Sequence, residues 1–284
     1  MPVPLAWEKA EVSVANTTMP TEDGLSAAGV RLEVSGAVAT ITLARPERRN
    51  AMTGRTWTTL AHVGHALPDS VRIVVVKGEG GSFSSGIDLA MFSPEGAEGE
   101  KPLLSTLGDG SLDQAALVET IAGYQEGFLW LRRPGIVSIA AVRGHAIGAG
   151  FQLALSCDLR ILADDARLCM KEPALGLVPD LTGTKPLVDI VGVSRAIELC
   201  LTARTVSAEE ARELRLAEAV VEGSALDETV DDLVAGLLGT PAEAAAATKE
   251  LLLQAPDNTL EEQAEAERRA QVGRLSALAR TMRG

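Results

Sequence analysis

Apolar segments that end in glycine are the feature that most constrains how this chain can fold. Residues 71–76 hold four valines and one isoleucine and run into a loop with several glycines between 78 and 86. Residues 136–142 are equally apolar, and Gly144 and Gly148 follow them. Short, continuous apolar runs bounded by glycine are typical of strands buried on both faces of a sheet. Because segments with helical spacing separate these runs, the sequence predicts an α/β fold.

The first two thirds of the chain alternate strand and helix signals. Residues 30–43 alternate apolar and polar side chains around Ser35-Gly36, which predicts a β-hairpin. The polar segment 93–112 is predicted to be a loop long enough to be functional. The other predicted elements are helices over 53–67, 113–131 and 149–157, and strands over 71–76, 136–142, 158–163 and 166–170.

The two ends of the chain differ from this body. Residues 1–28 lack periodicity and contain three prolines, which predicts an irregular N-terminal extension. Beyond residue 185 the pattern becomes helical, and Ser207 with Glu210 has the spacing of a capping box. We therefore divide the chain into an extension over 1–28, an α/β core over 29–195 and a helical region over 196–284.

Composition excludes several classes of protein. The 284 residues are 46% hydrophobic and carry a net charge of −13, which disfavours disorder and binding to nucleic acid. No apolar run approaches the length of a membrane span, and residues 1–20 lack the pattern of a secretory signal. Three cysteines without metal-ligand or disulfide spacing favour a reducing compartment. We expect a cytoplasmic, globular protein that binds neither membrane nor nucleic acid.

Two strand ends could expose backbone amides. In residues 84–89, Gly86 permits a tight turn after which the amides of Ile87 and Asp88 can point outward. In residues 144–151 a strand ends and a helix begins, and the first amides of a helix have no intrahelical partner. If the two sites faced each other they would form an oxyanion hole, worth about 3–4 kcal/mol per donor. On spacing alone, ordinary loop glycines are the alternative.

Other catalytic motifs are missing from the sequence. Phe83 occupies the third glycine's place in a GxGxxG pattern, and neither a P-loop nor a GxSxG motif occurs. His62 and His65 lie three residues apart on a predicted helix, but Pro68 separates them from the nearest carboxylate. We expect them to be surface or core histidines and predict no metal site. His145 either assists binding beside the candidate amide site or only lines the turn.

Acidic side chains are the candidates for proton transfer. Glu172 and Asp180 lie eight residues apart in a largely apolar segment. Apolar surroundings raise the pKa of a carboxyl group and suit it to proton transfer near neutral pH. The alternative is that both are solvated loop acids.

Taken together, these segments resemble the crotonase (enoyl-CoA hydratase/isomerase) superfamily. The matching segments occur in the family's order over about residues 30–255: 45–52, 83–89, 144–154, 157–160, 172–183, 201–204 and 208–211. The resemblance implies a spiral of ββα units in the core and a helical C-terminal trimerisation region. It also implies a homotrimer or dimer of trimers and an acyl-CoA thioester substrate, with no separate cofactor because CoA is part of the substrate.

The resemblance also assigns roles to particular residues. The amides of Ile87 and Ala149 would hold the thioester oxygen and stabilise an enolate, and CoA would pass residues 45–52. Further substrate-binding positions implied by the motifs are Arg45, Arg49, Ala51, Ser85, Gly86, Asp88, Leu89, Gly148 and Gln152.

One departure from the family pattern bears on the reaction. Hydratases of this family carry two glutamates twenty positions apart; Glu172 matches the second, but Gln152 replaces the first. An amide cannot take or give the proton of a water molecule. Asp180 matches the acid that dienoyl-CoA isomerases of the family place eight residues after their glutamate, although those enzymes carry Asp at position 152.

The sequence therefore favours double-bond isomerisation of an enoyl-CoA or dienoyl-CoA, with Glu172 and Asp180 moving the proton. Hydration of a 2-enoyl-CoA is the alternative reaction, since Asp180 could supply the second carboxylate. A non-catalytic acyl-CoA-binding protein is the alternative from another class, because a fold can survive the loss of its catalytic groups. The net charge argues against the RNA binding seen in some relatives.

Overall fold

The computed structural model describes residues 18–97, 100 and 114–282. Within them, a six-stranded sheet has the order β1-β2-β3-β4-β6-β9, and a three-stranded sheet has the order β5-β7-β8. The strands are β1 Val30–Ser35, β2 Val38–Leu43, β3 Ile73–Gly78, β4 Val137–Val142, β5 His145–Ile147, β6 Leu159–Ala163, β7 Arg167–Cys169, β8 Val206–Ser207 and β9 Ala219–Val221. The helices are α1 Glu22–Ala27, α2 Gly54–Ala66, α3 Gln114–Leu129, α4 Ala149–Ser156, α5 Thr184–Thr202, α6 Ala208–Glu213, α7 Leu226–Leu238, α8 Ala242–Gln254 and α9 Leu260–Thr281.

The large sheet is parallel except at its first edge. β1 and β2 form the predicted antiparallel hairpin, and β2, β3, β4, β6 and β9 then pair in parallel. Val74 and Val76 of β3 point into the main core, whereas Ile73 and Val75 point into a smaller core under α7. Burial on both faces explains why β3 and β4 read as continuous apolar runs. The α/β prediction is confirmed.

The small sheet lies between the glycine-rich loop that follows β3 and the start of α4. β5 pairs in parallel with β7, and β7 pairs antiparallel with β8. Two isolated parallel bridges attach the loop, one between Met52 and Ile87 and one between Ser84 and Ala146. The two strand ends singled out in the sequence are therefore neighbours in the fold.

Three sequence expectations require correction or restriction. The extension is not irregular throughout, because Thr21 caps helix α1 and Leu25 is buried; residues 1–17 lie outside the described part. The C-terminal region is not wholly helical. The two-residue strand β8 belongs to the small sheet, and the three-residue strand β9 belongs to the large sheet. Of the predicted 93–112 loop, only residues 93–97 and 100 are described.

The last two helices are attached differently from the rest. Neither α8 nor α9 contains a buried residue, although Lys249 of α8 reaches into the body and donates to Asp158 Oδ2 at 2.6 Å. Its ammonium also donates to the carbonyls of Arg133 and Ile136. Among the helices of the described ranges, none has the length and hydropathy required to cross a membrane.

Candidate active site

The Ile87 amide is aimed by the bridge to Met52. Met52 N donates to Gly86 O, and Asp88 N donates to Met52 O, each at 2.8 Å. In a parallel bridge, the residue between the two bonded neighbours turns its own N–H and C=O to the opposite side. The Ile87 N–H therefore points away from Met52, and it has no protein acceptor among the described residues.

The Ala149 amide lies at the start of α4. Gly148 precedes the helix with φ of 51°, and its own amide donates to Cys169 O at 2.8 Å. Ala149 is the first helical residue, so its N–H has no intrahelical partner, and within the described ranges it has no other acceptor. The positive end of the helix dipole lies at the same place.

Close packing at Gly86 brings the two amides together. A Cβ at this position would lie 2.5 Å from Ile147 O and 3.5 Å from Ala149 N, and φ of Gly86 is +90°. Only glycine fits both this space and this backbone conformation. The two free amides therefore lie close to each other, as the two donors of an oxyanion hole must.

Residues 84–88 and 145–149 form what we call the amide corner, and the carboxylate of Glu172 lies beside it. A Cβ at Gly148 would be 3.2 Å from Glu172 Oε1, so the carboxylate is next to the residue that precedes Ala149. Glu172 is 8% exposed, and its Oε2 is buried with no hydrogen-bond partner among the described residues. Burial raises the pKa of Glu172, and the charge of Asp180 raises it further. A carboxyl group of this kind is suited to proton transfer near neutral pH.

Gln152 connects Glu172 to the segment that carries Asp180. Its Nε2 donates to Glu172 Oε1 at 2.6 Å, and its Oε1 accepts from Leu181 N at 2.9 Å and Gly183 N at 3.1 Å. The side chain is fully buried. The bond from Gln152 favours the charged form of Glu172 and so opposes the effect of burial on its pKa.

Asp180 is half-buried near Glu172. Burial raises the pKa of its carboxyl group. Gln125 of α3 donates from Nε2 to the Asp180 carbonyl at 2.7 Å, which fixes the backbone at this residue. Gln125 was not predicted from the sequence, because a contact between residues 55 positions apart leaves no local signal.

Arg45 and Asp88 form an ion pair at the edge of the amide corner. Arg45 Nη2 contacts Asp88 Oδ2 at 3.0 Å, and Nη1 donates to Ala51 O at 2.9 Å. Asn50, which the sequence analysis did not single out, holds the same turn from inside. Its side chain accepts from Arg45 N and donates to the carbonyls of Glu79 and Ser82.

The remaining predicted positions lie around the corner with different exposure. Ala51 is buried, Ser85 is half-buried, and Arg49 and Leu89 are exposed. Ser85 N donates to Arg49 O at 2.9 Å. His145 is exposed and its Nδ1 lies 3.3 Å from Ser82 Oγ. His62 and His65 are exposed on α2, as one of the two sequence interpretations expected.

Comparison with known proteins identifies the family. The family model described as enoyl-CoA hydratase/isomerase matches residues 33–280. A protein from Thermobifida fusca YX, provisionally assigned as an enoyl-CoA hydratase and crystallised with CoA, is 66% identical. The match has a TM-score of 0.88 and covers 93% of this chain and 99% of that one. A second crystal structure from the same source holds acetoacetyl-CoA and is 65% identical, with a TM-score of 0.88 and coverages of 92% and 100%.

Curated relatives include enzymes of both reaction types. The short-chain-enoyl-CoA hydratase of Clostridium acetobutylicum is 34% identical over 208 residues, or 72% of this chain and 73% of the relative. The peroxisomal Delta(3,5)-Delta(2,4)-dienoyl-CoA isomerase of Arabidopsis thaliana is 33% identical over 196 residues, or 69% and 68%. Together with the two-sheet fold and its C-terminal helices, these matches show that the chain belongs to the enoyl-CoA hydratase/isomerase (crotonase) superfamily.

Proposed function

We propose that the protein isomerises a carbon–carbon double bond in an enoyl-CoA or dienoyl-CoA thioester. The hydrogen bonding of Gln152 is the observation that carries this proposal. Its side-chain oxygen accepts from two backbone amides, and its nitrogen donates to Glu172. The position that holds a glutamate in hydratases of the family is therefore occupied by an amide that positions Glu172 and transfers no proton.

The thioester oxygen would bind between the amides of Ile87 and Ala149. Neither amide has an acceptor within the described residues, and the packing at Gly86 holds them adjacent. The Thermobifida fusca relative binds CoA and acetoacetyl-CoA, which supports an acyl-CoA ligand for this site. Negative charge that develops on the oxygen would be stabilised by two donors already in place.

Glu172 would act as the base. Its carboxylate removes a proton from the carbon between the thioester carbonyl and the carbon–carbon double bond. The electron pair of the broken C–H bond delocalises onto the carbonyl oxygen on one side and over the double bond on the other. The resulting dienolate takes a proton at the far end of the conjugated system, from Glu172 or from Asp180. The substrate thus loses and regains one proton. The raised pKa values of both carboxyl groups support these roles.

Hydration of a 2-enoyl-CoA is the second candidate. Two of the relatives described above carry the name of a hydratase, and the raised pKa of Asp180 would let it protonate the substrate after water is added. Glu172 would then be the group that activates the water molecule.

Product mass distinguishes the two reactions. Purified protein is incubated with 2-enoyl-, 3-enoyl- and 3,5-dienoyl-CoA, and the products are separated by chromatography and weighed by mass spectrometry. An isomer of equal mass from either of the last two substrates supports isomerisation. A product heavier by one water shows that Gln152 does not prevent hydration, and the absence of any product favours a non-catalytic acyl-CoA-binding protein.

We also infer a homotrimer or dimer of trimers in which α8 and α9 lie against another subunit. These helices contain no buried residue in the single chain, and α9 exposes the apolar side chains of Leu260 and Val272. Light scattering during gel filtration tests this: a mass of three or six chains is expected, and a mass of one chain contradicts it.

A further inference from the structure

The side chain of Arg45 spans the two segments that aim the Ile87 amide. One segment is the turn that ends at Met52, and the other contains Asp88. The guanidinium donates to Ala51 O at 2.9 Å and to Asp88 Oδ2 at 3.0 Å. Ala51 directly precedes Met52, and Asp88 directly follows Ile87. Arg45 therefore joins both sides of the bridge between Met52 and Ile87.

The structure provides a dedicated space for this side chain. A Cβ at Gly29 would lie 2.4 Å from Arg45 Cδ and 2.6 Å from Arg45 Cγ, and φ of Gly29 is +66°. The aliphatic part of Arg45 thus packs against Gly29 in the space that a Cβ would occupy, and the positive φ of Gly29 also favours glycine there. The side chains of Arg45 and Asp88 are 20% and 9% exposed, so water screens their ion pair weakly.

The charge of Asp88 bears on the proposed chemistry. This carboxylate is adjacent in sequence to the amide that would stabilise an oxyanion, and an unpaired negative charge there would oppose a second one on the substrate oxygen. Its Oδ1 accepts from Ala90 N at 3.1 Å and its Oδ2 contacts Arg45, so both oxygens are occupied. Arg45 neutralises this charge and also fixes the backbone beside Ile87.

We propose that Arg45 is a positioning residue of the oxyanion hole, acting through Asp88 and Ala51, and that it is not a ligand of the CoA phosphates. The resemblance to the family implied only that Arg45 is a substrate-binding position in the segment that CoA would pass. This inference rests on the part of the proposed function that places the thioester oxygen at Ile87 and Ala149. It predicts that loss of Arg45 weakens stabilisation of an enolate but leaves the affinity for CoA unchanged.

Acetoacetyl-CoA allows the two roles to be separated. It loses the proton between its carbonyl groups to give an enolate, which absorbs ultraviolet light more strongly than the keto form. The fraction of bound ligand in the enolate form reports on the oxyanion hole and does not depend on whether the enzyme isomerises or hydrates. Titration calorimetry with CoA reports on the phosphate contacts in the same variants.

Four proteins are compared: the unaltered chain, Arg45→Met, Asp88→Asn and the double variant. We expect Arg45→Met to lower the ratio of enolate to keto form at least about tenfold, because it leaves a buried carboxylate unpaired. Asp88→Asn is expected to lower it less. The enolate-to-keto ratio of the double variant should exceed that of Arg45→Met by about threefold or more, which would show that the two side chains are energetically coupled. The affinity for CoA is expected to stay within about threefold in all four.

Two results would overturn the inference. The first is a loss of CoA affinity in Arg45→Met with an unchanged enolate fraction, which would make Arg45 a phosphate ligand. The second is an enolate-to-keto ratio in the double variant that is no higher than the ratio in Arg45→Met. If Arg45→Met does not fold, the test compares Asp88→Asn with the double variant. An enolate-to-keto ratio in the double variant below one tenth of the ratio in Asp88→Asn contradicts the coupling. Failure of the unaltered protein to enolise bound acetoacetyl-CoA would instead contradict the proposed function.

Discussion

The amide corner and the carboxylate segment of the candidate active site are held in place by different means. The amide corner comprises residues 84–88 and 145–149, and its donors are backbone groups fixed by strand bridges and glycine packing. The carboxylate segment comprises residues 172–183. Most of it is irregular, residues 174–178 are exposed, and the side chain of Gln152 ties its two ends together.

This difference separates what is common to the superfamily from what is particular to this chain. Binding of a thioester oxygen needs only backbone amides, so side chains at those positions can vary while the chemistry persists. The choice between isomerisation and hydration depends on which carboxyl groups are present and how they titrate. Substitutions that shift the backbone of the amide corner should therefore slow any reaction of the site, whereas those around Glu172 should alter the rate, the pH dependence or the product.

The largest effect is expected from Gly86→Ala. The added Cβ would lie 2.5 Å from Ile147 O on a backbone with φ of +90°, so the bridges that aim both amides must shift. We expect kcat/KM to fall by about 10³-fold or more, since the loss of one oxyanion donor costs about 10²–10³ in rate. Gly81→Ala is the matched control, because a Cβ there meets nothing within 4 Å. Equal activity of the two variants would contradict the assignment of the amide corner.

Glu172→Gln should lower kcat by about 10²-fold or more, the lower range for loss of a general base.

The same substitution should change how stability depends on pH. The pKa of Glu172 is raised in the folded protein, so the carboxyl binds its proton more tightly than in the unfolded chain. Its contribution to stability therefore declines as the pH rises from the ordinary carboxyl pKa through the raised value. The variant should gain thermal stability relative to the unaltered protein at pH 8, and gain less at pH 4. Full isomerase activity of Glu172→Gln would rule out its role as the base.

Gln152→Leu should shift the pH dependence of the reaction. Removal of the N–H donor raises the pKa of Glu172 further, and because the base must be ionised, the acid limb of kcat/KM moves to higher pH. Leu181 N and Gly183 N lose their acceptor, which should lower the free energy of unfolding by about 1–3 kcal/mol. A pH–rate profile and a denaturant titration measure the two effects. An unmoved acid limb would mean that Gln152 does not influence the titration of Glu172.

The smallest change in rate, but a change of product, is expected from Gln152→Glu. One carboxylate oxygen can still accept from Leu181 N and Gly183 N, while the other must share a proton with Glu172 across the present 2.6 Å contact. This restores the pair of glutamates that hydratases of the family carry. We expect a hydrated product from 2-enoyl-CoA, detected by its added mass. If the unaltered protein already hydrates this substrate at the same rate, position 152 does not select the reaction.

The elements of the core could be predicted because their signals are local. The valine-rich strand β3, the apolar strand β4 and the glycines that follow each of them predicted the body of the sheet and the two strand ends of the amide corner. The missed elements are too short to have a period of their own. Helix α1 depends on the Thr21 cap and on burial of Leu25, and β8 and β9 exist because neighbouring strands offer edges to pair with.

The sequence by itself determined the α/β class, the family resemblance, the two amide-bearing strand ends and the candidate acids Glu172 and Asp180, because composition, spacing and glycine placement act over a few residues. Only the tertiary structure decided how these groups work together. It placed Gln152 between Glu172 and a loop about thirty residues further along, and it paired Arg45 with Asp88 across 43 positions. Such contacts depend on where buried strands converge, and side-chain hydrogen bonds between distant segments leave no periodic trace in the sequence.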